Sequence, residues 1–293
     1  MKFSSLRAYG QFGALSAVWL PLVAAARGLS AGDPTHRLSG RALRALGRTV
    51  ARASMTWDFH VDGEAPRGRP FVVVANHVSI ADPLLLSFLP FDMRFVAKDE
   101  LFRIPLVGWL LRLAGDIPVR RGDATSGREM QTACVETLRG GLSVMIFPEG
   151  TRSRSGVLGT FRDGAFRVAI AAGAAILPVA LHGSERCVDA DGPHAARASA
   201  QILTPIETTG LDEHDVPALR ERVRGAIAMA LDRQAPAGSG PGYAFSPVSL
   251  SSTPARVSSP SRLIILEIDL RSMPAARAED EMLSSLAASR ASR

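Results

Sequence analysis

The stretch Phe71-Val72-Val73-Val74-Ala75-Asn76-His77-Val78-Ser79-Ile80-Ala81-Asp82-Pro83 decides how this chain is read. Its apolar run from Phe71 to Ala75 does not alternate, which predicts a strand covered on both faces, as in a sheet with helices on each side. The run stops at Asn76, and Pro83 suits the first turn of a helix. His77 and Asp82 therefore fall in a strand-to-helix connection, where α/β proteins place their reactive groups. If that link folds back as a turn, Asp82 accepts a hydrogen bond from one imidazole nitrogen and leaves the other as a base. A histidine that caps the helix beside a turn aspartate fits the same letters, and the stretch alone does not choose.

Outward from it, Trp57, Phe59 and Val61 alternate as in a half-buried strand, and residues 94–97, 117–119, 143–147, 176–181 and 201–206 read as further strands. Helical periodicity alternates with them over 83–88, 105–113, 126–139, 164–172 and 216–233. The assembly this predicts is α/β, a mixed β-sheet flanked by helices. It occupies residues 56–234, between an N-terminal segment (1–55) and a C-terminal tail (235–293) crowded with Pro, Gly and Ser, which predicts flexibility.

A second polar cluster follows a strand at Phe147-Pro148-Glu149-Gly150-Thr151-Arg152-Ser153. Gly150 allows a sharp turn with an accessible N–H, Thr151 adds a hydroxyl, and Arg152 offers a planar fork suited to phosphate. Glu149 either binds a substrate hydroxyl or stiffens the loop. In Gly115-Asp116-Ile117-Pro118-Val119-Arg120-Arg121-Gly122, two arginines end a short strand and supply a further phosphate contact. Pro178 within 176–181 would break a central ladder and places that strand at an edge or bulge, where it walls a channel or simply fills the core.

The N-terminal segment has two parts. Between Arg7 and Arg27 there is no charge, and 12–26 is strongly apolar around Trp19 and Pro21, which fits a spanning helix, a shallower anchor or a secretory signal. Arg41, Arg44, Arg48 and Arg52 then form one stripe of a helix over 38–55, opposite Leu43, Leu46, Val50 and Ala53. The stripe fits a helix lying in a lipid interface, and equally a surface helix packed on the core.

Of the 293 residues, 46% are apolar and 21% charged, which is globular composition and excludes wholesale disorder. The net charge of +6 favours an anionic partner. Aromatics at 6% and the lack of a zinc-finger or helix-turn-helix pattern weigh against nucleic acid. Cys134 and Cys187 have no metal-ligand spacing around them and read as free thiols.

Taken in this order, the four segments resemble the glycerophospholipid acyltransferase family, in particular its bacterial 1-acyl-sn-glycerol-3-phosphate acyltransferase branch. Its first motif is met by Asn76, His77 and Asp82, and its third from Phe147 to Ser153 residue for residue; Lys98, Phe161 and Gly164 also match. The second motif departs, because Arg120 stands where the family commonly has Asp, which leaves the acceptor headgroup open. The resemblance implies His77 as general base, Asp82 as its orienter, and Arg121, Glu149, Gly150, Thr151 and Arg152 as acceptor-binding residues. It implies transfer of an acyl group from acyl-CoA or acyl carrier protein to the sn-2 hydroxyl of 1-acyl-sn-glycerol 3-phosphate, with no cofactor or metal. Other expected acceptors are lyso-ornithine lipid, glycerol 3-phosphate or another lysophospholipid, and a non-catalytic lipid-binding protein is the reading from another class. The family's N-terminal membrane-docking helices give the segment 1–55 a purpose, at the cytoplasmic face of the inner membrane where thioesters are available.

Overall fold

The computed structural model describes residues 3–53, 57–153, 156–189 and 192–234; the segment read as a tail lies outside the described residues. Two helices, α1 (Phe3–Leu29) and α2 (Arg37–Ala53), precede β1 (Trp57–Asp62) and β2 (Val72–Ala75). Then come α3 (Asp82–Leu86), β3 (Met93–Lys98), α4 (Asp99–Arg103), α5 (Val107–Ala114), β4 (Ile117–Val119), α6 (Ala124–Arg139) and β5 (Ser143–Ile146). The chain continues through α7 (Gly164–Ala172), β6 (Ile176–His182), the short strands β7 (Val188–Asp189) and β8 (Gly192–Pro193), β9 (Ala196–Ile202) and α8 (Val216–Gln234).

Seven strands form one sheet in the order β1-β9-β6-β2-β5-β3-β4. The five from β6 to β4 run parallel, whereas β9 is antiparallel to β6 and carries β1 parallel to itself. The sheet is thus mixed and mostly parallel, as the unbroken apolar run of β2 predicted. Val73 and Ala75 face a cluster with Leu46 and Val50 of α2, Leu85 of α3 and Leu110 of α5. Val72 and Val74 face the other layer, with Cys134 of α6, Phe166 of α7 and Val223 of α8. Each fully buried valine contributes about 1.5–3 kcal/mol, so every β2 position favours this central placement.

The last strand is a correction. It spans Ala196–Ile202 rather than 201–206, and Ile206 makes only an isolated bridge with Ile176. Its inward residues are Ala198, Ala200 and Ile202, and alanines give a weak apolar signal in sequence.

The arginine stripe of α2 makes contacts within the protein, with Arg44 buried, Arg48 half-buried, and Arg41 and Arg52 exposed. Arg37 and Arg41 both hold Asp92 (3.0 and 2.7 Å), and Arg44 donates to buried Asp116 (2.6 Å) while lying over the Phe95 ring. Arg48 donates to the Ser87 carbonyl (2.7 Å), and Arg52 lies over the Phe88 ring. The opposite face, with Leu46 and Val50, is buried too, so α2 is packed on both sides. α1 packs on α2 and α5 through Val23 and Ala26 and leaves Val18, Leu22 and Leu29 exposed. No helix among the described residues is long and apolar enough to cross a membrane.

Candidate active site

The parallel strands β2, β5, β3 and β4 end along one edge of the sheet, and the ends of β2, β5 and β4 carry the polar segments read from the sequence. β2 hands over at Ala75 to Asn76, whose side chain replaces a ladder pair: its Nδ2 donates to Leu181 O (3.0 Å) and its Oδ1 accepts from Leu181 N (2.8 Å). The fourth segment, 176–181, is therefore a central strand and not the edge or bulge expected from Pro178, which sits within it opposite Val74, and its end holds the first motif in place.

Beyond Asn76 the chain turns back so that Asp82, wholly buried at the start of α3, meets the His77 ring. Asp82 Oδ2 accepts from His77 Nδ1 (2.7 Å) and from the backbone N–H of Val78 and Ser79 (2.9 Å each). Oδ1 accepts from the hydroxyl of Ser184 (2.6 Å), itself fully buried. Four donors converge on one carboxylate and fix its direction. An Nδ1–H donated to Asp82 leaves the lone pair on Nε2, for which no described residue is a partner. The ring stacks on Phe147 at 4.0 Å and its side chain is 15% exposed, so one edge of the imidazole remains open.

Phe147 belongs to the second loop, and the two loops are joined through the main chain of His77. Its N–H donates to Glu149 Oε1 (2.8 Å), and its carbonyl accepts from Ser153 N (2.7 Å). Glu149 Oε2 accepts from Gly159 N (3.0 Å), so both carboxylate oxygens are engaged by backbone and the residue is buried. Gly150 has φ +70°, a left-handed conformation that favours glycine, and the Arg162 side chain lies close against it. Thr151 and Arg152 are exposed beyond it.

Arg121 approaches the same loop from the end of β4. Desolvation first, then the like charge of Arg162, hold its guanidinium below the usual arginine range against the pull of Glu100, although the residue as a whole is exposed. Two such cations near one loop suit an anionic ligand. Arg120 instead pairs with Asp99 (3.5 Å) and Asp123 (3.3 Å), away from that convergence, and Lys98 pairs with Glu100 (2.9 Å).

Sequence reasoning assigned no role to Ser184 or Arg162. Arg162 stands next to Phe161 and two residues before Gly164, both matched to the family pattern, and that proximity was the available signal. Ser184 follows β6 at Gly183, which has φ +75° and no room for a Cβ against Arg197 O. Nothing local in the sequence marks it. Cys134 and Cys187 are buried outside the chemistry, and desolvation pushes both thiols up to about 12, which keeps them neutral. Among the described residues no cluster of ligands that could hold a metal occurs.

Residues 58–182 match the family model described as acyltransferase. The chain is 34% identical over 243 residues to the lyso-ornithine lipid O-acyltransferase of Pseudomonas aeruginosa, covering 74% of this chain and 92% of that one. It is 42% identical over 115 residues to a chloroplastic 1-acyl-sn-glycerol-3-phosphate acyltransferase of Arabidopsis thaliana, covering 39% of this chain. The chain spans about a third of the length of that plant relative and of its Brassica napus counterpart. The crystal structure of the 1-acyl-sn-glycerophosphate acyltransferase PlsC from Thermotoga maritima shares the fold at TM-score 0.54 and 24% identity, over 77% of this chain and all of that one. On the match over nearly the whole of the Pseudomonas protein, the chain belongs to the acyltransferase family.

Proposed function

We propose that the chain transfers a fatty acyl group from a thioester, acyl-CoA or acyl carrier protein, to the sn-2 hydroxyl of 1-acyl-sn-glycerol 3-phosphate. The observation that carries this reading is the 2.7 Å contact between His77 Nδ1 and Asp82, with Nε2 on the open side. The acceptor's phosphate is held by Arg121, Arg152 and the N–H and hydroxyl groups of Gly150 and Thr151, while Glu149 shapes the loop that presents them. Nε2 then takes the proton of the acceptor hydroxyl as its oxygen attacks the thioester carbonyl. The tetrahedral adduct collapses with cleavage of the C–S bond, and the imidazolium returns the proton to the departing thiolate. Asp82 holds the imidazole in one tautomer and steadies the imidazolium through both half-steps. The nucleophile is the acceptor itself, so the step needs no enzyme serine or cysteine, no cofactor and no metal.

The exposed apolar side of α1, Val18, Leu22 and Leu29, supports docking on the cytoplasmic face of the inner membrane, where a lysophospholipid is delivered from the bilayer. A second acceptor, lyso-ornithine lipid, is favoured by the extent of the match to the Pseudomonas protein and by Arg120 in the departing motif. Purified protein given radiolabelled acyl-CoA and a panel of lyso-lipids decides by thin-layer separation of products. A product from lysophosphatidate alone supports the first acceptor, one from lyso-ornithine lipid alone supports the second, and no product from any lyso-lipid with either donor refutes acyl transfer.

A further inference from the structure

At the edge of the sheet opposite His77, where β3 and β5 begin, lies a groove of about 440 Å³. Arg37, Arg41, Arg44 and Arg48 of α2 and Arg94 of β3 line its basic side, and Phe88 and Phe91 its apolar side. Against these five guanidiniums stand the carboxylates of Asp92 and Asp116 and, beside Arg37 and Arg94, Asp33, which leaves a surplus of two positive charges. Arg48 shows where the surplus falls. It donates to the Ser87 carbonyl, and burial first, then Arg52 and Arg44, hold it below the ordinary arginine range.

Two further features mark the same groove. Buried nitrogens of His36, Arg44 and Arg94, all on lining residues, lack a hydrogen-bond partner, an uncommon condition for buried polar groups. His36 also adopts φ +49°, a left-handed conformation that costs a non-glycine residue energy and that collects at functional sites. Crowded, partly desolvated guanidiniums with too few carboxylates gain most from an incoming anion. The apolar side implies more than a bare ion, because inorganic phosphate would leave Phe88 and Phe91 uncovered. Leu29 and Leu38, exposed on either side of the turn that carries His36, offer an approach from lipid.

We propose that this groove is a second anion site, which takes the phosphate of a membrane phospholipid with its acyl part along Phe88 and Phe91. It is separate from the acceptor site, because the parallel strands place the two at opposite ends of the sheet. It does not rest on the acyl-transfer reading. The groove lets a stripe legible as a lipid contact serve as one while packed on the protein: the lipid phosphate comes to the stripe.

The test is calorimetric titration of the full chain with soluble dihexanoyl phosphatidate, without acyl donor. The parent is expected to bind two equivalents. Arg48→Gln is expected to weaken one of them about tenfold or more, the loss of one charged hydrogen bond, while turnover on a soluble acceptor stays within about twofold of the parent. Arg121→Gln is expected to weaken the other equivalent and to spare the Arg48-dependent one. Arg41→Gln substitutes for Arg48→Gln if circular dichroism shows that variant unfolded. Unchanged binding of both equivalents in the folded variant overturns the proposal, as does a parent with no Arg48-dependent equivalent. Displacement of that equivalent by millimolar inorganic phosphate overturns the lipid as occupant and leaves a simple anion site. Failure of Arg121→Gln to weaken anything counts against the acceptor reading alone.

Discussion

At the edge where the parallel strands end, Asp82 and Glu149 accept six hydrogen bonds between them, four on Asp82 and two on Glu149. At the opposite edge, guanidiniums outnumber carboxylates and three lining residues keep a buried nitrogen without a partner. The first edge is determined by its own chain: every carboxylate oxygen has a donor, so the imidazole has one orientation before substrate arrives. The second edge is left electrostatically incomplete. A reacting group needs its geometry settled in advance, whereas a binding groove needs interactions still to be made.

The largest way to break this contrast is at His77. His77→Ala is expected to leave the fold intact, since the ring contributes one stacking contact with Phe147 and one of the four donors on Asp82, yet to lower turnover by about a hundredfold to ten-thousandfold. Initial rates together with a thermal melt check both halves. At the basic edge the corresponding change is Asp116→Ala, which strands the buried Arg44 guanidinium and the Phe95 N–H. Urea unfolding should then show a loss of about 3–5 kcal/mol. A loss within experimental error would mean that Arg44 finds water or another acceptor.

Smaller changes sharpen the comparison. Arg152→Ala removes a charged hydrogen bond of about 1.5–3 kcal/mol to the acceptor phosphate, so KM for the phosphorylated acceptor should rise while KM for acyl-CoA holds. A rise in the acyl-CoA constant instead would assign the loop to the donor's phosphates. Ser184→Ala deprives a buried carboxylate oxygen of its donor and should lower kcat about tenfold with KM unchanged. Ser184→Thr keeps the hydroxyl and should restore kcat; a loss of stability with kcat unchanged would reduce Ser184 to a packing role.

The parts of this arrangement visible in the sequence are those with local spacing. The apolar run into Asn76 announced a central strand, whereas His77 and Asp82, five residues apart, allowed a pairing that the stretch alone did not choose over a helix-capping histidine and that gained weight only with the second motif. Ser184 lies about a hundred residues from Asp82, and a serine after a glycine turn reads as any other turn. The α2 stripe shows a different limit. Periodicity tells which arginines share a face but not what that face meets, and here it meets Asp92, Asp116 and Ser87 from distant parts of the chain. β9 was displaced for lack of large apolar residues, since Ala198 and Ala200 bury fully with little hydrophobic signature.

The central claim is that His77 and Asp82 act as one unit on the acceptor hydroxyl. A double-mutant cycle on turnover with His77→Ala, Asp82→Asn and both together tests it most directly, with folding verified for each protein. The account predicts strong non-additivity: Asp82→Asn alone is severely impaired, yet adds nothing once His77 is alanine, because its contribution passes through the imidazole. Effects that multiply, so that the double variant is slower by the product of the two single losses, would contradict it and give Asp82 an independent part in the chemistry.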